Sequence, residues 1–257
     1  MLAKITILTS YLFAILYPLC FWISWKDPLK NNFHRFHLGL PSVVAGVILF
    51  FVATSQLLSS IKIITLVWCI SLLLVSICFW RKEYPSVFVV TVSCIIGFIG
   101  YVLLLSSLVA SHVTLILSSL IGGLIFCSVL FAMNLGHWYL NVHGLPIKHL
   151  KNATVAFIIF LSMRLIWDVV MLVGGNVFYN GEYISISRFM MTMEGFLLMI
   201  GIVFGTILPL AGTYCVMETI KLKNTQSSTG ILYVLLCSVL IGDITYKYFA
   251  IKYGVYL

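Results

Sequence analysis

Eight long apolar runs divide the chain, at about residues 3–25, 41–59, 61–80, 86–109, 112–134, 152–175, 189–218 and 229–251. Each is close to the roughly 20 residues that carry an α-helix across the hydrocarbon of a bilayer. Lipid supplies no hydrogen bonds, so only helices and closed barrels can span it. The runs are continuous and do not alternate in barrel-like segments of about ten residues, which predicts helices. The expected fold is an all-α, polytopic integral membrane bundle of about eight transmembrane helices. Composition agrees: 62% of the 257 residues are apolar and 9% charged, against about 25% charged in a soluble domain. An ordinary cytosolic enzyme and a disordered chain are both excluded. The expected location is a membrane of the bacterial inner (cytoplasmic) type, with the first run retained as a span, because it is too long for a signal h-region and no small-residue cleavage site follows.

The net charge of +8 comes from 15 Lys+Arg against 7 Asp+Glu. These basic residues sit in short connections, not in a stripe with interleaved aromatics, so no nucleic-acid partner is expected. The connections after spans 1, 3, 5 and 7 carry Lys26, Lys30, Arg35, Arg81, Lys82, Lys148, Lys151, Lys221 and Lys223. The other side carries Lys4, Lys62, Arg188, Lys247 and Lys252. The positive-inside rule then places both termini on the outer side. Trp22, Trp25, Trp80, Trp138 and Tyr139 lie near span ends, as interfacial aromatics do.

The whole chain, 1–257, reads as one transmembrane domain. His37-Leu-Gly-Leu-Pro41 and His143-Gly-Leu-Pro146 share a phrase. It is either the trace of a 4+4 span duplication, about 1–110 and 111–257, or a common pairing of Gly and Pro at span starts.

Small residues mark the faces that pack on protein, since lipid does not sort helix faces. In span 7, Glu194, Gly201, Gly205 and Gly212 fall on one arc, which predicts that Glu194 points into the bundle, and Pro209 predicts a kink. Ser93, Gly97, Gly100 and Ser107 form a similar face in span 4.

Charge inside a bilayer is costly and is read first as function. Arg164 and Asp168 stand four apart in span 6, and Asp243 and Lys247 four apart in span 8. With Glu194 they form a candidate layer for a proton or ion relay. Two self-neutralising pairs that staple helices together explain the same spacing. No base stands one turn from Glu194 on its own helix, which suits a proton-carrying carboxyl.

Five of the six histidines fall on one side of the membrane: His34, His37, His137, His143 and His149, with His112 opposite. His34, His37, His137 and His143 are candidates for b-type haem or quinone, or for an unspecified metal. Interfacial histidines in loops are the plainer explanation. His112 and His137 are too far apart for a haem pair, about 37 Å along one helix. The seven cysteines lie in apolar stretches without C-x-x-C, which disfavours thiol redox and zinc. No Walker A, G-x-G-x-x-G, G-x-S-x-G or H-E-x-x-H sequence occurs.

Three functions fit. One is a subunit of a redox or respiratory complex, binding quinone or haem on the histidine side. Another is a proton-coupled transporter of a small solute. The last is a structural or assembly subunit without its own chemistry. The first and last imply further membrane or peripheral subunits as partners beside the lipid bilayer.

Overall fold

A computed structural model describes residues 1–29, 32–109, 113–142 and 145–257. Among them, eight helical stretches are long and apolar enough to cross a membrane: Leu2–Ser24, Phe33–Thr54, Ser59–Phe79, Val87–Leu108, Val113–Asn141, Lys148–Gly174, Met193–Lys221 and Thr225–Tyr253. The fold is an all-α polytopic bundle. Helix α1 (Leu2–Leu16) ends in a 3-10 turn, Pro18–Ser24, and is followed by α2 (Phe33–Thr54), α3 (Ser59–Phe79) and α4 (Val87–Leu108). Then come α5 (Val113–Asn141), α6 (Lys148–Gly174), strands β1 (Asn176–Tyr179) and β2 (Glu182–Ser185), and the short α7 (Ile186–Phe189). Span 7 is built from α8 (Met193–Ile202), a π-helical segment (Val203–Ile207) and α9 (Leu208–Lys221), and α10 (Thr225–Tyr253) is the last span.

Two compact units result, Leu2–Ser111 and His112–Leu257 with Met1. In the first, α1 packs on α2 and α4, α2 on α3, and α3 on α4, closing a ring in sequence order. In the second, α5 packs on α6 and α10, α6 on α9, and span 7 on α10. Short loops favour this up-and-down order in any four-helix bundle.

Hydroxyls and aromatics hold the first unit. Tyr11 stacks on Trp68 with centroids 4.6 Å apart, and its hydroxyl lies 3.2 Å from Thr65 Oγ1. Ser42 meets Ser76, and Ser71 meets Ser93, each at 2.8 Å. Such interhelical hydrogen bonds are a common device where no hydrophobic difference drives helices together.

Three elements depart from the sequence expectation. Pro41 lies inside α2, which starts at Phe33, because the chain ahead of it is already helical and Ser42 and Ser76 both donate to Leu38 O in that turn. Residues 176–185, which lie between two apolar runs, form a β-hairpin with Asn180 at φ 52° and Gly181 at φ 90°. Those positive angles suit a two-residue Asn-Gly turn. Span 7 is not one α-helix. Pro209 lacks the N–H that would bond Gly205 O, and the turn before it widens so that Leu208 N–H reaches Val203 O.

The small face of span 7 packs as expected. A Cβ on Gly205 would lie 3.0 Å from Gly242 Cα, so α10 touches the widened segment backbone to backbone. Gly205→Val is expected to cost about 1–3 kcal/mol through overpacking. Gly46→Val, which meets open space, should change stability by under about 0.5 kcal/mol. Thermal unfolding in detergent reads both, and equal melting of the two variants would contradict this packing.

Candidate functional site

Helix spacing builds the site. On α6, Arg164 and Asp168 are one turn apart and each is 1% exposed. On α10, Asp243, Tyr246 and Lys247 project from one face, all buried. Arg164 and Asp243 each precede the end of their helix by ten residues, about 15 Å of rise.

Arg164 is the centre. Its Nε lies 3.1 Å from Asp168 Oδ1. One terminal nitrogen donates to Ser118 O at 3.0 Å and to Ser118 Oγ at 3.3 Å, and the other donates to Leu257 O. Its guanidinium carbon sits 3.7 Å from the ring centroid of Tyr246, close enough for a cation–π contact. Asp168 Oδ2 accepts from Thr206 Oγ1 at 2.9 Å and from the Tyr246 hydroxyl at 2.8 Å. Thr206 belongs to the π-helical segment, so the widened turn is tied to the ion pair.

The second pair is Lys247 Nζ on Asp243 Oδ2. Asp243 lies against Gly122 of α5, where a Cβ would stand 2.6 Å from Oδ1. A side chain there would make the carboxylate shift. Two cavities of about 10 Å³ flank the pairs. One is walled by Gly122, Gly205 and Val239 among others, the second by Ser118, Ser119 and Lys247. Arg164, Asp243 and Tyr246 line both. Each cavity is close to the smallest volume that holds one water.

Residues 254–257 close the site. Gly254 takes φ 67° at the end of α10, and Val255 N–H reaches back to Phe249 O. The turn sends Leu257 O to Arg164 and also to the hydroxyl of Ser118, while Tyr256 O accepts from Trp167 Nε1 at 2.9 Å.

Glu194 does not join this layer. It does not point into the bundle as the helical arc predicted, although Leu198 and Gly201, one and two turns on, are buried. Its height is different: it stands in the first turn of α8, exposed, where an acid suits the helix N-terminus. The Tyr179 hydroxyl of the hairpin donates to Glu194 Oε2 at 2.7 Å, and that carboxylate pushes the Tyr179 pKa up from its ordinary value. Glu218 pairs with Lys221 at 2.6 Å on the surface.

The described histidine candidates fall in both units. His34 Nε2 lies 2.9 Å from Phe79 O, and His37 Nδ1 lies 2.8 Å from Phe33 O. His37 is stacked between Phe33 and Tyr17. His137 is exposed on α5, in the other unit. His143 and His112 lie outside the described residues. Among the described residues no group of three or more His, Cys, Asp or Glu could hold a metal, and none of the seven cysteines is in a disulfide.

No known protein family, no curated protein and no solved structure matches the chain. What fold and site define is a class: a polytopic helical membrane protein with a buried layer of two acids and two bases.

Two outcomes test this geometry. Arg164→Leu should cost about 3–5 kcal/mol by leaving Asp168 unpaired, and Arg164→Leu with Asp168→Leu should recover part of that loss in detergent unfolding. Glu194→Gln should lower the Tyr179 titration midpoint towards that of a free tyrosine, read by NMR of ring-labelled protein.

Proposed function

We propose that the chain is a proton-coupled transporter of a small solute, with Arg164, Asp168, Asp243, Tyr246 and Lys247 as its proton relay. The observation that carries this reading is the pair of water-sized cavities walled by the same three side chains, Arg164, Asp243 and Tyr246. A water in each would bring exchangeable protons to a carboxylate, a phenol and a fixed cation. A staple needs only the ion pairs. It needs neither the cavities nor a carboxylate seated over glycine.

The chemistry follows from charge balance. Two Asp carboxylates, Arg164 and Lys247 sum to zero. A proton from water added to Asp243 leaves Lys247 uncompensated where the dielectric is low. That excess favours a rearranged state or a compensating charge, which is how proton uptake shifts a conformational equilibrium. Asp168 Oδ2, which accepts from both the Thr206 and the Tyr246 hydroxyl, joins this change to the π-helical segment, a type of irregularity frequent at functional sites. The reading includes a bacterial-type inner membrane, which maintains a proton gradient, with the lysine- and arginine-rich connections on the cytoplasmic side. Among the described residues, each unit's histidines by themselves form no comparable assembly for a redox subunit.

Liposomes holding the purified protein and a pH dye test the reading, with the small-molecule fraction of a cell extract outside. Wild-type protein is expected to take up protons when the fraction is added. Asp243→Asn should slow uptake about 100-fold, the scale of losing a positioned proton-transfer group, while Glu194→Gln retains it. No solute-dependent uptake by wild type, or unchanged uptake by Asp243→Asn, would overturn the proposal.

A further inference from the structure

The first unit contains a pocket of about 220 Å³ that the relay does not use. It lies where the 3-10 turn after α1 ends and where α4 begins. Phe21, Ser24 and Trp25 line one side, and Tyr84, Ser86 and Phe88 the other. Trp22 braces both walls. Its ring meets Phe88 edge-on at 5.3 Å and Trp25 at 5.7 Å, and its Nε1 donates to Thr91 Oγ1 at 2.9 Å. The walls are therefore held apart and do not collapse into the space between them.

The position decides what chemistry reaches it. Helix ends bearing the exposed Trp22, Trp25 and Trp80 mark the level of lipid headgroups. The two connections that form the pocket carry Lys26, Arg81 and Lys82, all exposed. Arg35 stands beside them, its Nε donating to Trp80 O at 2.7 Å. Asp27 and Glu83 share those connections, so the described charges there sum to a positive value. An aromatic slot at headgroup depth, formed by two connections of net positive charge, is complementary to an apolar chain ending in a negative group.

We propose that this pocket is a binding site for one anionic phospholipid. The phosphate rests among Lys26, Arg81 and Lys82, and the upper part of an acyl chain lies between the aromatic walls. Each basic residue near an anionic headgroup contributes about fivefold in affinity, and the two acids offset part of that.

Native mass spectrometry of the delipidated full chain tests the site by titration with phosphatidylglycerol and with phosphatidylcholine of the same acyl chains. Wild type is expected to bind one phosphatidylglycerol about tenfold more tightly than phosphatidylcholine. Replacing Lys26, Arg81 and Lys82 by Gln should remove that preference, and these exposed positions leave the fold intact. Ser86→Trp, which fills the slot at a residue making no side-chain cap bond, should abolish binding of both lipids. Replacing Lys148, Lys151 and Lys221 by Gln should leave the preference unchanged. Equal binding of the two lipids by wild type, or equal loss of preference in both triple variants, would overturn the proposal.

Discussion

A guanidinium buried in a membrane bundle must be satisfied on every side, and the C-terminal unit is arranged around that requirement. Arg164 faces Asp168 on its own helix, Ser118 on α5, the Tyr246 ring on α10 and the main chain of Leu257. Turning any of these elements away would leave charge in a low-dielectric interior, at a cost of several kcal/mol per ion. The rotation of α6 and α10 about their axes is fixed in this way, more strongly than apolar packing in lipid would fix it. The turn at Gly254 and the path of residues 254–257 serve the same end.

The second pair uses the space the first creates. Asp243 sits where α5 has Gly122, and the close approach of Gly205 and Gly242 draws the widened turn of span 7 against α10. Thr206 then reaches Asp168. The widened turn has a stated cause in Pro209, and its bond to the carboxylate gives the ion pair a mechanical connection to an irregular helix. The first unit is held differently, by hydroxyl pairs and by the stacked Tyr11 and Trp68. The proposed division of labour follows that difference: proton chemistry in one unit and lipid contact in the other.

Hydropathy made the spans legible, because their length is set by the bilayer and not by tertiary contacts. Arg164 with Asp168, and Asp243 with Lys247, were legible too, since i,i+4 spacing on a helix places partners without knowledge of the fold. Ser118, Thr206 and Tyr246 were not. Each is chosen by what lies opposite it on another helix, which spacing along one helix does not encode. Tyr246 stands beside Lys247 in sequence, and nothing in the spacing sets it apart from the other aromatic residues. The hairpin had a signal, Asn180-Gly181 between Val177-Phe178-Tyr179 and Glu182-Tyr183-Ile184, but a window sized for spans averages ten such residues away. Glu194 shows the limit of a helical wheel, which gives the face of a residue and not its height in the bundle.

Infrared difference spectroscopy of the protein in lipid, between neutral and acidic pH, bears most directly on the central claim that the buried layer accepts protons. The account predicts a carbonyl stretch of a protonated, buried carboxyl that grows on acidification, shifts in deuterium oxide and is lost in Asp243→Asn. A spectrum in which only exposed carboxyls change, with the Asp243→Asn difference identical to wild type, would show the layer to be a fixed staple and would contradict the account.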